Sequence, residues 1–187
     1  MGNYLDSCKE DITRLKNIFK KSYFFIDCYP LKVLSLYLNK INKDDVLFIY
    51  FSGHGKIIGK RIDYKMRLLS SWINPDYSYI DSYTIDKILS NINCKKIFLV
   101  SDTCHSGNFG DFYTGESPLI FIGSSDIIHK SYEYKSDNKT PVGILVYLFE
   151  KYYKEILYLN IDILPLVDKI YKEYKITKNP IVKTFNI

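Results

Sequence analysis

The chain contains no strongly apolar run longer than about six residues, whereas a membrane helix needs ~20. No membrane-spanning helix is therefore expected. Its first residues, Met1-Gly2-Asn3-Tyr4-Leu5-Asp6, do not form the charged-then-apolar pattern of a secretion signal. Asp6 also stands where a myristoylation motif requires Ser or Thr. Only 4 cysteines occur among 187 residues: Cys8, Cys28, Cys94 and Cys104. Without a secretory signal they do not suggest a disulfide framework. No C-x-x-C spacing links them, so no structural zinc site is expected. These absences together read as a cytoplasmic protein with no cofactor and no metal.

Clustered charge is missing as well. A net charge of +5 invites a polyanionic partner, but the 26 Lys and Arg residues are spread among Ile, Asn and Tyr along the whole chain. Neither a nucleic acid nor a membrane is expected as a partner, and the oligomeric state is not legible. With 47% hydrophobic and 25% charged residues the composition is that of a globular protein. No repeat or linker divides it, and residues 1–187 are read as a single domain large enough to bury a core.

The hydrophobic pattern alternates between two periods. Cys8, Ile12, Leu15 and Phe19 recur on one face of a helix predicted over 6–20. A short strand follows at Tyr23–Ile26, then a helix opened by Pro30 and running to Asn39. Val46–Phe51 and Lys96–Val100 read as fully buried strands, and Leu119–Ile122 as another. A hairpin is expected within 57–80, and a helix over 84–91 with Thr84 as its N-cap. Helices over 142–157 and 161–174 precede an extended C-terminal segment. Helices alternating with short apolar strands indicate an α/β domain with a mostly parallel sheet. In such sheets ligands bind beyond the carboxyl ends of the strands.

Two of those strand ends carry unusual chemistry. Val46–Phe51 breaks into Ser52-Gly53-His54-Gly55, and Lys96–Val100 into Ser101-Asp102-Thr103-Cys104-His105-Ser106-Gly107. A thiol beside an imidazole is the minimum equipment of a cysteine nucleophile. Flanking glycines let backbone approach a substrate closely. The amides of Gly55 and Cys104 could then receive the oxygen of a tetrahedral intermediate. Taken singly, Cys104 is more simply a buried cysteine and His54 a turn histidine. Occurring together, each at the end of a buried strand and beside glycine, they favour one shared site.

"YFSGHG" at 50–55 and "SDTCHSGNF" at 101–109 resemble the histidine and cysteine motifs of the caspase-like peptidases, metacaspases in particular. "SCKEDITRLKNIF" (7–19), "FIGSSDIIHKSYEY" (121–134) and "VGILVYLFE" (142–150) are similar to further family segments. The resemblance implies a caspase-like three-layer α/β/α sandwich and a cysteine endopeptidase acting on proteins or peptides. It makes Cys104 the nucleophile, His54 the general acid/base, and Gly55 and Cys104 the oxyanion-hole amides. Ser52, Asp102 and Asp126 would line the primary pocket, where two carboxylates select Arg through a bidentate pair or Lys as a point charge. His105 is given a structural role, because adjacent side chains diverge, and His129 is given none.

The chain departs from the family pattern in two places. The stretch after the histidine motif, "KIIGKRIDYKMRLLSSW", is basic and offers only Asp63 as a carboxylate. A calcium site there, which would need several oxygens, is not expected. The resemblance also implies a buried strand before the first helix, and this sequence starts inside the turn that follows it. Loss of that interior strand is expected to expose unpaired backbone. The alternative function is a catalytically weak or inactive homologue serving as a regulatory binding module.

Overall fold

The computed structural model describes residues 4–19, 29–131, 133–134, 141–158, 162–177 and 180–187. The strand expected at Tyr23–Ile26, and Cys28, lie outside them. In chain order the elements are α1 (Tyr4–Ile18), α2 (Pro30–Tyr37, continued by a 3-10 turn at Leu38–Lys40), β1 (Val46–Ser52), β2 (Gly55–Ile62), β3 (Lys65–Ile73), β4 (Tyr79–Asp81) and α3 (Ser82–Leu89). They continue with β5 (Lys96–Asp102), β6 (Leu119–Gly123), β7 (Glu133–Tyr134), β8 (Val142–Gly143), α4 (Ile144–Tyr158), α5 (Leu164–Glu173) and β9 (Ile181–Phe185).

The central sheet has the order β1-β5-β6-β9. The first three strands are mutually parallel, and β9 runs antiparallel beside β6. Because successive strand residues face opposite ways, the continuous apolar runs of β5 and β6 serve two cores. Phe98, Val100, Ile120 and Ile122 pack with Leu15 of α1, Phe149 of α4 and Val167 of α5. Ile97, Leu99, Leu119 and Phe121 pack with Leu34 of α2, Ile85 and Leu89 of α3, and Trp72 of β3. The chain is thus an α/β protein with a mostly parallel central sheet flanked by helices on both faces. Among the described residues no helix is long and apolar enough to cross a membrane.

Several boundaries differ from the sequence reading, each for a local reason. The N-cap of α3 is Asp81, whose carboxylate accepts from the Thr84 backbone N and Oγ1, both at 2.8 Å. A short acid three residues upstream serves as a cap better than Thr84 itself. Helix α4 begins at Ile144, because Val142–Gly143 pairs as a strand with Glu133–Tyr134. Helix α5 begins at Leu164, which places Pro165 in the first turn, where its missing N–H costs nothing. The expected hairpin is longer than foreseen, with β2 starting at Gly55. Its two-residue turn, Asp63-Tyr64, has φ of 47° and 63°, the doubly positive form that matches strand twist.

Candidate functional site

Strands β1 and β5 are neighbours, with Ser52 opposite Asp102 at their shared carboxyl end. Each chain runs two residues further before reaching His54 or Cys104, so the two motifs leave the same edge of the sheet. The approach is close. A Cβ on Gly55 would lie 2.1 Å from the Cys104 carbonyl oxygen and 2.8 Å from Thr103 Oγ1. Only glycine fits there. Ile73 N donates to the His54 carbonyl at 3.0 Å, and the alternation of an antiparallel ladder then turns the Gly55 N–H away from β3.

Immediately after Cys104 the backbone reverses through His105, whose φ is 58°. This left-handed residue is held in place by the loop after β6. Its N–H donates to the His129 carbonyl at 2.9 Å, and its Nδ1 lies 3.0 Å from the Ile127 carbonyl. The ring of His105 is therefore committed to that loop, in keeping with a structural role. Cys104 is half-buried, whereas His54 is exposed. Partial burial lowers the His54 imidazole from its ordinary value, against the pull of the Glu133 carboxylate. At neutral pH the ring is uncharged and able to accept a proton.

Below the strand ends lies a buried carboxylate pair. Asp102, 6% exposed, accepts from the Tyr50 hydroxyl at 2.8 Å, Leu145 N at 3.0 Å and Ser131 Oγ at 3.3 Å. Asp11 of α1, 1% exposed, accepts from Ser52 Oγ at 2.5 Å and Gly143 N at 2.8 Å. The point a Cβ on Gly143 would occupy is 2.4 Å from Asp102 Oδ2 and 3.0 Å from Asp11 Oδ2. Both acids thus crowd the start of α4 through a gap that glycine leaves open. Neither has an ion-pair partner among the described residues. Burial, followed by the charge of Asp102, pushes the Asp11 carboxyl up to about 7. Burial likewise raises Asp102. Two such acids cannot both ionise cheaply.

Of the residues expected to line a pocket, Ser52 and Asp102 meet here. Asp126 is not among their partners. Its carboxylate is spent within its own turn, on Ile128 N at 2.9 Å, His129 N at 2.8 Å and the His129 ring at 2.6 Å. The second carboxylate beside Asp102 is Asp11, which the sequence reading missed. The available signal was an acid on the apolar stripe of α1, three residues after Cys8 and four before Leu15, where solvent does not reach.

The loop that follows Cys104 is fixed from several sides. Asn108 accepts from Ser70 N at 2.6 Å and donates to the Leu68 carbonyl at 2.6 Å, acting as a one-residue extension of the β3 edge. The buried Asp86 carboxylate of α3 accepts from Gly110 N at 2.8 Å and Phe112 N at 3.0 Å. Lys183 of β9 donates to the Gly107 carbonyl at 2.7 Å and pairs with Asp111. Among the described residues no group of three or more His, Cys, Asp or Glu side chains is disposed to hold a metal ion.

No family model matches the chain, and no curated protein matches it. Among solved structures it is similar to a structural-genomics target protein from Geobacter sulfurreducens, at 14% identity and a TM-score of 0.56. The likeness covers 83% of this chain and 72% of that one. At that identity it bears on the fold alone.

Proposed function

We propose that this protein is a cysteine endopeptidase of the caspase/metacaspase type that cleaves proteins or peptides after Arg or Lys. The helix-flanked sheet is then the three-layer sandwich of that family. The observation that carries the reading is the packing of Gly55 against the Cys104 carbonyl at the end of paired strands, with Asp102 and a second acid beneath. A thiol, an imidazole and a buried pair of acids are each unremarkable alone; their convergence on one sheet edge is what supports the assignment.

In the proposed reaction His54 takes the proton of the Cys104 thiol, and the thiolate attacks the scissile carbonyl carbon. The carbonyl oxygen gains the negative charge and is received by the N–H groups of Gly55 and Cys104. The intermediate collapses with cleavage of the C–N bond, and His54 returns its proton to the leaving amine. A water molecule, deprotonated by His54, then hydrolyses the thioester and restores the thiol. Asp102, joined by Asp11 rather than Asp126 and flanked by Ser52, would meet the cationic side chain before the cleaved bond.

A second reading is favoured by one observation. Both acids are nearly inaccessible and spend oxygens on backbone N–H groups at the start of α4, as capping groups do. In that case the chain is a weak or inactive homologue that binds rather than cleaves. Turnover of fluorogenic peptides ending in Arg, Lys or Asp, by wild type and by Cys104→Ala, separates the two. The peptidase reading expects cleavage after Arg or Lys that vanishes in the variant. Preference for Asp would remove the pocket assignment, and turnover that survives Cys104→Ala would remove the nucleophile.

A further inference from the structure

The β2–β3 hairpin carries a surface that the strand-end chemistry does not use. Residues facing one another across an antiparallel pair share a face. Ile57 lies opposite Ser70, Gly59 opposite Leu68, and Arg61 opposite Met66. Toward the turn this face is open: Leu68 is 63% exposed, Met66 71% and Tyr64, in the turn itself, 91%. The Met66 methyl lies 3.3 Å from the point a Gly59 Cβ would occupy. The absent side chain at Gly59 thus lets Met66 fold across and join Ile57 and Leu68 in one apolar strip.

Among the described residues few backbone hydrogen bonds hold the far end of the hairpin to other elements. Strand β4 pairs only with Ser71–Ile73, and Asn108 meets the open edge at Leu68 and Ser70. One face of the hairpin stays covered as far as Ile62, 8% exposed, and the opposite face, carrying Met66 and Leu68, is the open one. Five cations lie between Lys56 and Arg67, against one acid, Asp63. Three are engaged: Lys60 pairs with Asp81 at 2.8 Å, and Lys56 and Arg61 sit over the Tyr79 and Tyr64 rings at 4.3 and 5.9 Å. Arg61, Lys65 and Arg67 are exposed and form no ion pair among the described residues.

From these placements we propose that the tip of the β2–β3 hairpin docks on an anionic lipid surface, with Tyr64, Met66 and Leu68 entering the interfacial layer and Arg61, Lys65 and Arg67 meeting headgroup phosphates. Aliphatic side chains on the open face of a hairpin have no use on a phosphate backbone, where interfaces are polar and wet. An apolar strip with Arg61 on its own face, and with the exposed Lys65 and Arg67 alternating with Met66 and Leu68 along β3 on long side chains that can reach round its edge, instead matches the two attractions of a peripheral membrane element, apolar insertion and charge. This departs from the expectation that no membrane partner exists, which rested on the want of a spanning segment and on charge spread along the whole chain. It is independent of the peptidase reading.

The test is co-sedimentation with vesicles of phosphatidylcholine alone or with about one-third phosphatidylserine, at low and at physiological salt. The protein should sediment with the anionic vesicles only, and less at higher salt. Each cation near such a surface is worth about five-fold in partitioning. Arg61→Gln/Lys65→Gln/Arg67→Gln should therefore weaken binding about a hundred-fold, and Met66→Ser/Leu68→Ser about ten-fold or more. Neutralising the exposed Lys154, Lys169 and Lys172 of α4 and α5 removes the same charge elsewhere and should cost far less. All these sites are on the surface, and unchanged melting temperatures would check that each variant folds. Equal binding to neutral vesicles, no binding, or equal loss in the two charge-matched triple variants would overturn the proposal. So would binding to duplex DNA that needs the three hairpin cations and ignores Met66→Ser/Leu68→Ser.

Discussion

Replacing Asp11 by Asn should flatten the dependence of stability on pH. In the folded chain the Asp11 carboxyl is pushed from 3.8 up to about 7 by burial and by Asp102. A carboxyl raised in this way holds its proton more tightly folded than unfolded. Its contribution to stability is therefore greatest below about pH 4 and is lost progressively as pH rises to about 7. At 1.36 kcal/mol per unit, a shift of roughly three units amounts to about 4 kcal/mol at most. Asparagine resembles the protonated acid. Its carbonyl can still accept from Gly143 N, and its amide can donate toward Asp102. Asp86, also raised to about 7 by burial, is present in both proteins and cancels in the comparison. Urea unfolding at several pH values between 4 and 8 measures the difference. Wild type should lose up to about 4 kcal/mol relative to Asp11→Asn across that range. Parallel curves would refute the claim that these acids are coupled in the interior.

Three further outcomes are expected. Gly55→Ala puts a methyl where the Cys104 carbonyl already stands; overpacking of about 1 to 3 kcal/mol should lower the melting temperature by several degrees and turnover at least ten-fold. Glu133→Gln removes a carboxylate that raises the His54 pKa, so the acid limb of the kcat/KM profile should move to lower pH; movement to higher pH would remove Glu133 from the site. Finally, the chain should remain in one piece. No Lys or Arg occurs from Ile97 to His129, and residues 106–110 are buried. Mass spectrometry of wild type beside Cys104→Ala should find no Cys104-dependent cut between 105 and 118.

The parts of this protein that are local in sequence were legible, and those that depend on distant pairs were not. Strands β1, β5 and β6 announce themselves as continuous apolar runs, and the chemistry at the ends of β1 and β5 follows from the parallel sheet they imply. Only β5 and β6 are fully buried, however, because β1, read as equally buried, lies at the sheet edge among the described residues and is half-buried, with Val46 exposed. The cap at Asp81 was missed in favour of Thr84, because both residues suit the position and only the backbone decides. Val142–Gly143 carries nothing in its sequence to set it apart from the helix that follows, since pairing with Glu133–Tyr134 creates that strand. The carboxylate partner of Asp102 is the most instructive case. Asp126 was expected because it lies downstream in a matching loop, yet its own turn consumes it. Asp11 lies far upstream and reaches the cluster only because α1 packs beside β8 and α4, an arrangement that no local pattern encodes.

Burial of polar groups around the strand ends has a consequence for how such a site would work. Asp86 of α3 and Lys183 of β9 are spent on the loop after Cys104, and Asn108 of that loop is bonded in turn to β3. Buried donors and acceptors are costly to leave unpaired, so withdrawing the loop would break several bonds at once. His105, held in a left-handed conformation, is tolerated because the loop carrying Ile127 and His129 anchors its ring and its backbone. The position of Cys104 relative to Gly55 is therefore set by the fold before any substrate arrives, which is the condition for backbone amides to act on a developing charge without reorganisation. The Asp11–Asp102 pair differs in kind. It is satisfied by hydroxyls and helix amides rather than by a cation, and burial raises both acids. In the proposed peptidase a guanidinium entering between them would replace a retained proton with a fixed charge, so that rigidity at the thiol and adjustable charge beneath it would divide the work between β5 and α1.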